Sequence, residues 1–137
     1  MTPDQVQEIV EDAINPMAVA LRLSEWSIDF VHRRLDGKAE ITVHPAYRDA
    51  AVSFDADNFE TDAQVRRTLR HELLHLMHAD LTGMRDGDVG EDGGTFESNV
   101  RWQYGVERLV WSLERMLDAQ GLTPEALIEA GRKELGE

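Results

Sequence analysis

The chain has 137 residues, 42% of them hydrophobic, with 14 lysines and arginines against 27 aspartates and glutamates and no cysteine. That length suits one buried core, so a single domain spanning residues 1–137 is expected. A net charge of −13 opposes binding to nucleic acid or to an anionic membrane, both of which need basic surface. No apolar run reaches the ~18 residues of a membrane span, and the opening Met1-Thr2-Pro3-Asp4-Gln5 lacks the basic character of a signal peptide. A cytoplasmic protein is expected. Without thiols, disulfides and thiolate zinc sites are excluded, leaving histidine and carboxylate as metal ligands.

In chain order, Thr2, Pro3 and Gln5 read as a helix N-terminus, and Val6, Ile9, Val10, Ala13 and Ile14 recur at helical spacing. Asn15-Pro16 predicts a stop or kink, followed by a second helical segment over residues 17–23 with Asn15 as its cap. The N-terminal helical part is thus residues 1–23, with a packing role. From Trp26 the pattern alternates: Trp26, Ile28 and Phe30 on one side, then a turn at Leu35-Asp36-Gly37-Lys38, then Ile41 and Val43. This predicts a β-hairpin. Ala51-Val52-Ser53-Phe54 reads as a third short strand, closing at Asp55-Ala56-Asp57-Asn58. His32 and His44 fall on or beside these strands without a spaced ligand partner and are set aside. Tyr47 is a candidate for lining a cleft.

The next helix, over about residues 62–81, carries the chemistry. Thr61 with Gln64 makes a capping box, and Asp62 suits the positive helix end. Val65, Leu69, Leu73, Leu76 and Met77 fall on one arc, with His71, His75 and His78 opposite. His71-Glu72-Leu73-Leu74-His75 is an H-E-x-x-H pattern: two imidazoles four residues apart point to one side of a helix and can share a zinc ion. Glu72, about 100° further round, is placed to take a proton from the attacking water rather than to ligate. Residues 82–94, with five glycines and four acids, read as a mobile surface loop. Its acids lack the ordered spacing of a calcium loop. A long helix over about 95–119 and a last one over about 124–135 complete an α+β chain.

A catalytic zinc takes three protein ligands, so two histidines need a partner elsewhere. Glu107 falls inside the apolar arc of the long helix, among Val106, Leu109, Val110 and Trp111. An unpaired carboxylate there is costly to bury, and a cation relieves that cost. An ion pair of Glu107 with Arg70 or Arg101 is the competing account, and Glu97, Glu114 and His78 are alternative third ligands. Three ligands from one straight helix is awkward geometry, so His78 is read as a substrate contact or a residue behind the ligands. Tyr104, one turn before Glu107, and His78 are the candidates for a substrate contact that stabilises an oxyanion.

The H-E-L-L-H helix followed by Glu107 on the next long helix resembles the gluzincin arrangement. The order of strands, zinc helix, loop and glutamate-bearing helix resembles the minimal metallopeptidase-like proteins of phages and prophages, over roughly residues 26–117. The longer metzincin pattern is excluded, because His78 and Leu81 stand where it needs glycine and histidine. The resemblance implies a zincin-like fold, with a small, mostly antiparallel sheet packed on the H-E-x-x-H helix and further helices on either side in sequence. The function expected is a zinc-dependent hydrolase, a metallopeptidase acting on a peptide or protein substrate, with Zn2+ on His71, His75 and Glu107 and Glu72 as catalytic base. The competing expectation is a non-catalytic zinc-containing binding or regulatory module of a phage or mobile element.

Overall fold

A computed structural model describes the backbone of residues 1–82 and 96–137 and the side chains of residues 1–80 and 105–137. The expected loop over residues 82–94 lies outside them except for Thr82, which closes a helix. Helix α1 (Pro3–Ala20) begins with a complete capping box: Thr2 Oγ1 accepts from the Gln5 backbone N–H and the Gln5 side chain accepts from the Thr2 N–H. Contrary to the expected stop at Asn15-Pro16, the helix runs through Pro16 unbroken to Ala20. The lost N–H of a helix-interior proline is costly in isolation, and here tertiary packing overrides it. Pro16 is buried against helix α4 (Pro124–Glu134).

The two helices meet backbone to backbone at Gly131, where an added Cβ would lie only 1.7 Å from the Pro16 carbonyl oxygen. Glycine in a helix normally costs ~1 kcal/mol relative to alanine, so Gly131→Ala would ordinarily stabilise. Here the clash is with backbone, which cannot swing aside, and overpacking of this kind costs about 1–3 kcal/mol. We expect Gly131→Ala to lower the unfolding free energy by about 1 kcal/mol net, as read from urea melts; a rise would show that α1 and α4 do not pack as described.

The sheet departs from the expected hairpin. Strands β1 (Ser27–His32), β2 (Ala39–His44) and β3 (Asp49–Phe54) lie in the order β1-β3-β2. β1 runs parallel to β3, with Ile28 opposite Ala50 and His32 opposite Phe54, and β2 runs antiparallel to β3, with Ile41 opposite Val52. The sheet is therefore mixed rather than mostly antiparallel, and β1 and β2 do not pair. The reason lies in which strand can be covered. β3 buries Ala50, Val52, Ser53 and Phe54, whereas β1 and β2 expose Ser27, Asp29, Glu40, Thr42 and His44. Strands with polar alternation suit edges, and the apolar strand takes the centre. The tight turn belongs to β2 and β3, through a 3-10 turn at Pro45–Tyr47 and Arg48 in the left-handed region at φ 50°.

The connection from β1 to β2 crosses the Phe54 end of β3, and side chains hold it there. The buried Asp55 accepts from Leu35 N–H at 2.9 Å and Asp57 N–H at 3.2 Å, and Asn58 Nδ2 donates to Gly37 O at 2.7 Å. Asp36-Gly37 thus turns a crossover, not a hairpin.

Helix α2 (Asp62–Thr82) matches its expected span. Thr61 Oγ1 accepts from Gln64 N–H at 3.2 Å, while the Gln64 side chain accepts from Glu60 N–H, one residue before the reciprocal partner a capping box uses. Val65, Leu69, Leu73 and Leu76 are fully buried with Val10, Met17, Val52, Phe54 and Phe59 in one core. Each such side chain contributes ~2 kcal/mol of burial, which locks the rotation of α2 about its axis and hence the direction of its histidines. Helix α2 packs on α1, β2, α4 and helix α3 (Phe96–Ala119). No helix among the described residues is long and apolar enough to cross a membrane.

Candidate metal centre

With its leucine arc fixed in the core, α2 turns His71 and His75 outward, their rings edge to face with centroids 5.0 Å apart. Helix α3 brings Glu107 to both: Oε1 lies 2.7 Å from His75 Nε2, and Oε2 lies 3.3 Å from His71 Nε2. One ligand atom from each residue lies within 4.8 Å of the others, so the three could hold a metal ion. Tetrahedral zinc with bonds of ~2.0–2.1 Å separates its ligand atoms by about 3.3 Å. The two imidazoles meet different oxygens of Glu107, so one carboxylate oxygen would have to draw between them to serve as a single ligand atom around an ion.

His71 carries the strongest physical argument for a cation. Its Nδ1 lies 3.2 Å from Glu114 Oε2 while its Nε2 faces Glu107, so each ring nitrogen meets a carboxylate. A neutral imidazole has one N–H and can satisfy only one of them. The other nitrogen presents a lone pair to an anion, a repulsion that a second proton or a metal ion removes. In the metal-free protein the proton serves: burial, the largest influence, lowers the His71 pKa, but the hydrogen bond to Glu114 and the charges of Glu114, Glu72 and Glu107 together raise it above its ordinary value. His75 is shifted the other way, lowered first by burial and further by the nearby charges of His71 and His78, against the opposing pull of Glu107.

Glu72, next to His71 on α2, is only 6% exposed. Its pKa rises from the ordinary 4.5 to about 7, chiefly through burial and also through the charges of Glu107 and Glu114, with His71 acting in opposition. A carboxyl tuned to that range both accepts and returns protons near neutral pH. It stands beside the three-residue group without joining it.

The residues proposed from sequence divide as follows. His71, His75 and Glu107 come together, but the burial premise behind Glu107 is corrected. Its side chain is 43% exposed, and the apolar arc around it is split, with Val110 buried and Leu109, Trp111 and Met116 largely exposed. Over residues 105–119 of α3 only Val110 is buried, so this part of the helix faces largely outward. Glu114 lies outside the group and approaches the other nitrogen of His71, Nδ1, at 3.2 Å, a contact that would steady the ring and leave Nε2 for a metal. The spacing of seven residues from Glu107, two helical turns, was the available signal for that role. The competing pairing of Arg70 with Glu107 is overturned, because Arg70 binds Asp118 and the Leu122 carbonyl instead. His78 lies outside the group. The side chains of Glu97, Arg101 and Tyr104 lie outside the described residues. His32 Nδ1 lies 2.8 Å from Phe54 O, Tyr47 stands exposed on the β2–β3 turn, and neither belongs to the group.

Compared with family models, with curated proteins and with solved structures, the chain matches none.

Proposed function

We propose that the chain is a zinc-dependent hydrolase of gluzincin-like design, a metallopeptidase of phage or prophage type acting on a peptide or protein substrate in the cytoplasm. The observation that carries this reading is the convergence of His71, His75 and Glu107 beside a buried carboxyl, Glu72, raised to about 7. His71 and His75 would hold the ion through Nε2, and Glu107 through a carboxylate oxygen, a two-histidine, one-carboxylate set of the kind used by catalytic zinc. Zinc bound there supplies Lewis acidity, polarising a scissile carbonyl and acidifying water. Glu72 takes the proton of the attacking water and returns it to the leaving amine. Glu114 holds the His71 ring in the orientation its ligand role requires.

A purely structural zinc site has a closed ligand set and no use for a neighbouring proton acceptor. The placement of Glu72 therefore favours turnover over passive binding. The order of elements also suits a zincin-like fold, with the sheet edge β2 along one side of α2 and the glutamate-bearing α3 along another.

Metal analysis and a peptide library test this reading together. The purified protein should carry a single zinc per chain and cut a subset of peptides, with cutting stopped by a chelator and restored by zinc. A protein that holds its zinc and leaves every peptide and its natural partner uncut after long incubation would instead be a zinc-containing binding module.

A further inference from the structure

Arg70 precedes the first histidine and is completely buried. Its Nη1 donates to Asp118 Oδ1 at 2.8 Å and to the Leu122 carbonyl at 3.0 Å. The rest of the guanidinium, Nε and Nη2, has no hydrogen-bond partner among the described residues. A half-satisfied buried cation is a poor way to stabilise a fold, since an apolar side chain of similar volume avoids the desolvation cost. Its position accounts for it better than its energy does. Three carboxylates at Glu107, Glu114 and Asp118 on α3 meet His75, His71 and Arg70 on α2 in reverse order, a ladder between antiparallel helices. Arg70 forms the rung nearest the C-terminal end of α3, where Asp118 is charged and held below the ordinary carboxylate range by its hydrogen bond from Arg70. Beyond that rung, Leu122 fastens the turn leading into α4 to the same guanidinium.

We propose that Arg70 is a positioning residue: it sets the register of α3 along α2 by gripping Asp118 and the Leu122 carbonyl, and so delivers Glu114 and Glu107 to the two histidines. A slip of α3 by one turn would move its carboxylates ~5.4 Å, enough to dismantle both contacts. Buried polar pairs acting as register devices have precedent in helical assemblies.

This inference rests on the metal-centre reading for its functional meaning, but its test does not. The chain lacks cysteine, so spin labels can be placed on cysteines introduced at the exposed Ala63 and Ser112, one on each helix. In the metal-free protein, Arg70→Met should keep its helical circular dichroism while the inter-label distance shifts or broadens, and zinc should bind at least tenfold more weakly. An unchanged distance distribution in Arg70→Met overturns the proposal. Should that variant not fold, Asp118→Ala, which removes the grip at a helix-end residue, gives the same readout, and unchanged distances there overturn it equally. If the parent protein takes up no zinc, the metal reading fails while the label distances still decide this one.

Discussion

The His75→Ala protein should lose zinc affinity by a factor as large as that of any single change at this site. Zinc held by a small domain contributes roughly 10–16 kcal/mol, and a third share of that corresponds to about 10²–10⁴-fold in affinity. His71→Ala and Glu107→Ala should fall in the same range, because each supplies one atom of the group. Glu114→Gln should cost less, about 10–100-fold, as befits a residue that orients a ligand from behind. His78→Ala and Glu97→Ala should change affinity little. Competition against a chromophoric chelator ranks all six. If Glu107→Ala keeps its zinc and the Glu114, His78 or Glu97 variant loses it, the third ligand moves there. Zinc should also dissociate as pH falls, since both imidazoles must give up their protons to bind it, and the proton that His71 holds more firmly than usual sets much of that competition.

What could be read from residues alone followed from local rules, and what could not depended on partners distant in sequence. The leucine arc of α2, the Thr123-Pro124 start of α4 and the end of α3 before Gly121 are each set within a few residues, and the structure places them there. The sheet order is not local. Alternation in β1 and β2 was visible, but the same alternation that suggested two paired strands is what makes both of them edges around the more apolar β3. Pro16 is similar: the local rule says break, and only Gly131, far along the chain, makes room for the unbroken helix. At the site, the spacing of His71 and His75 identified two residues and the helix wheel found Glu107, though through a burial that does not hold. Glu114 looked like a competitor for the same role because a wheel gives angle and not height; the register of α3 on α2, which places it behind His71, is a tertiary fact.

Glu72→Gln should separate stability from function. In the metal-free protein the Glu72 carboxyl is favoured in its neutral form, with a pKa of about 7 against an ordinary 4.5. For an acid raised on folding, the folded state binds more protons than the unfolded state between those two values, so stability falls as pH rises through that window and levels off above it. A difference of ~2.5 units corresponds to roughly 3 kcal/mol at full ionisation. Glutamine is neutral throughout and nearly the same shape. Glu72→Gln should therefore match the parent protein near pH 4 and exceed it by up to about 3 kcal/mol near pH 8. The gain is trimmed because removing the Glu72 charge also takes away part of what sustains protonated His71. Zinc should narrow the difference further, since a nearby cation stabilises the carboxylate. Urea melts across that range, with and without a chelator, measure each part. In the zinc-loaded protein the same substitution should leave metal content intact while lowering peptide cleavage by about 10²–10⁴-fold, the usual contribution of a general base. A Glu72→Gln protein that is less stable than the parent at pH 8 without metal, or that cleaves as well as the parent with it, would remove Glu72 from the role of proton acceptor. The joint result expected, a more stable and inactive protein, is the mark of a charge kept in a costly place for its chemistry.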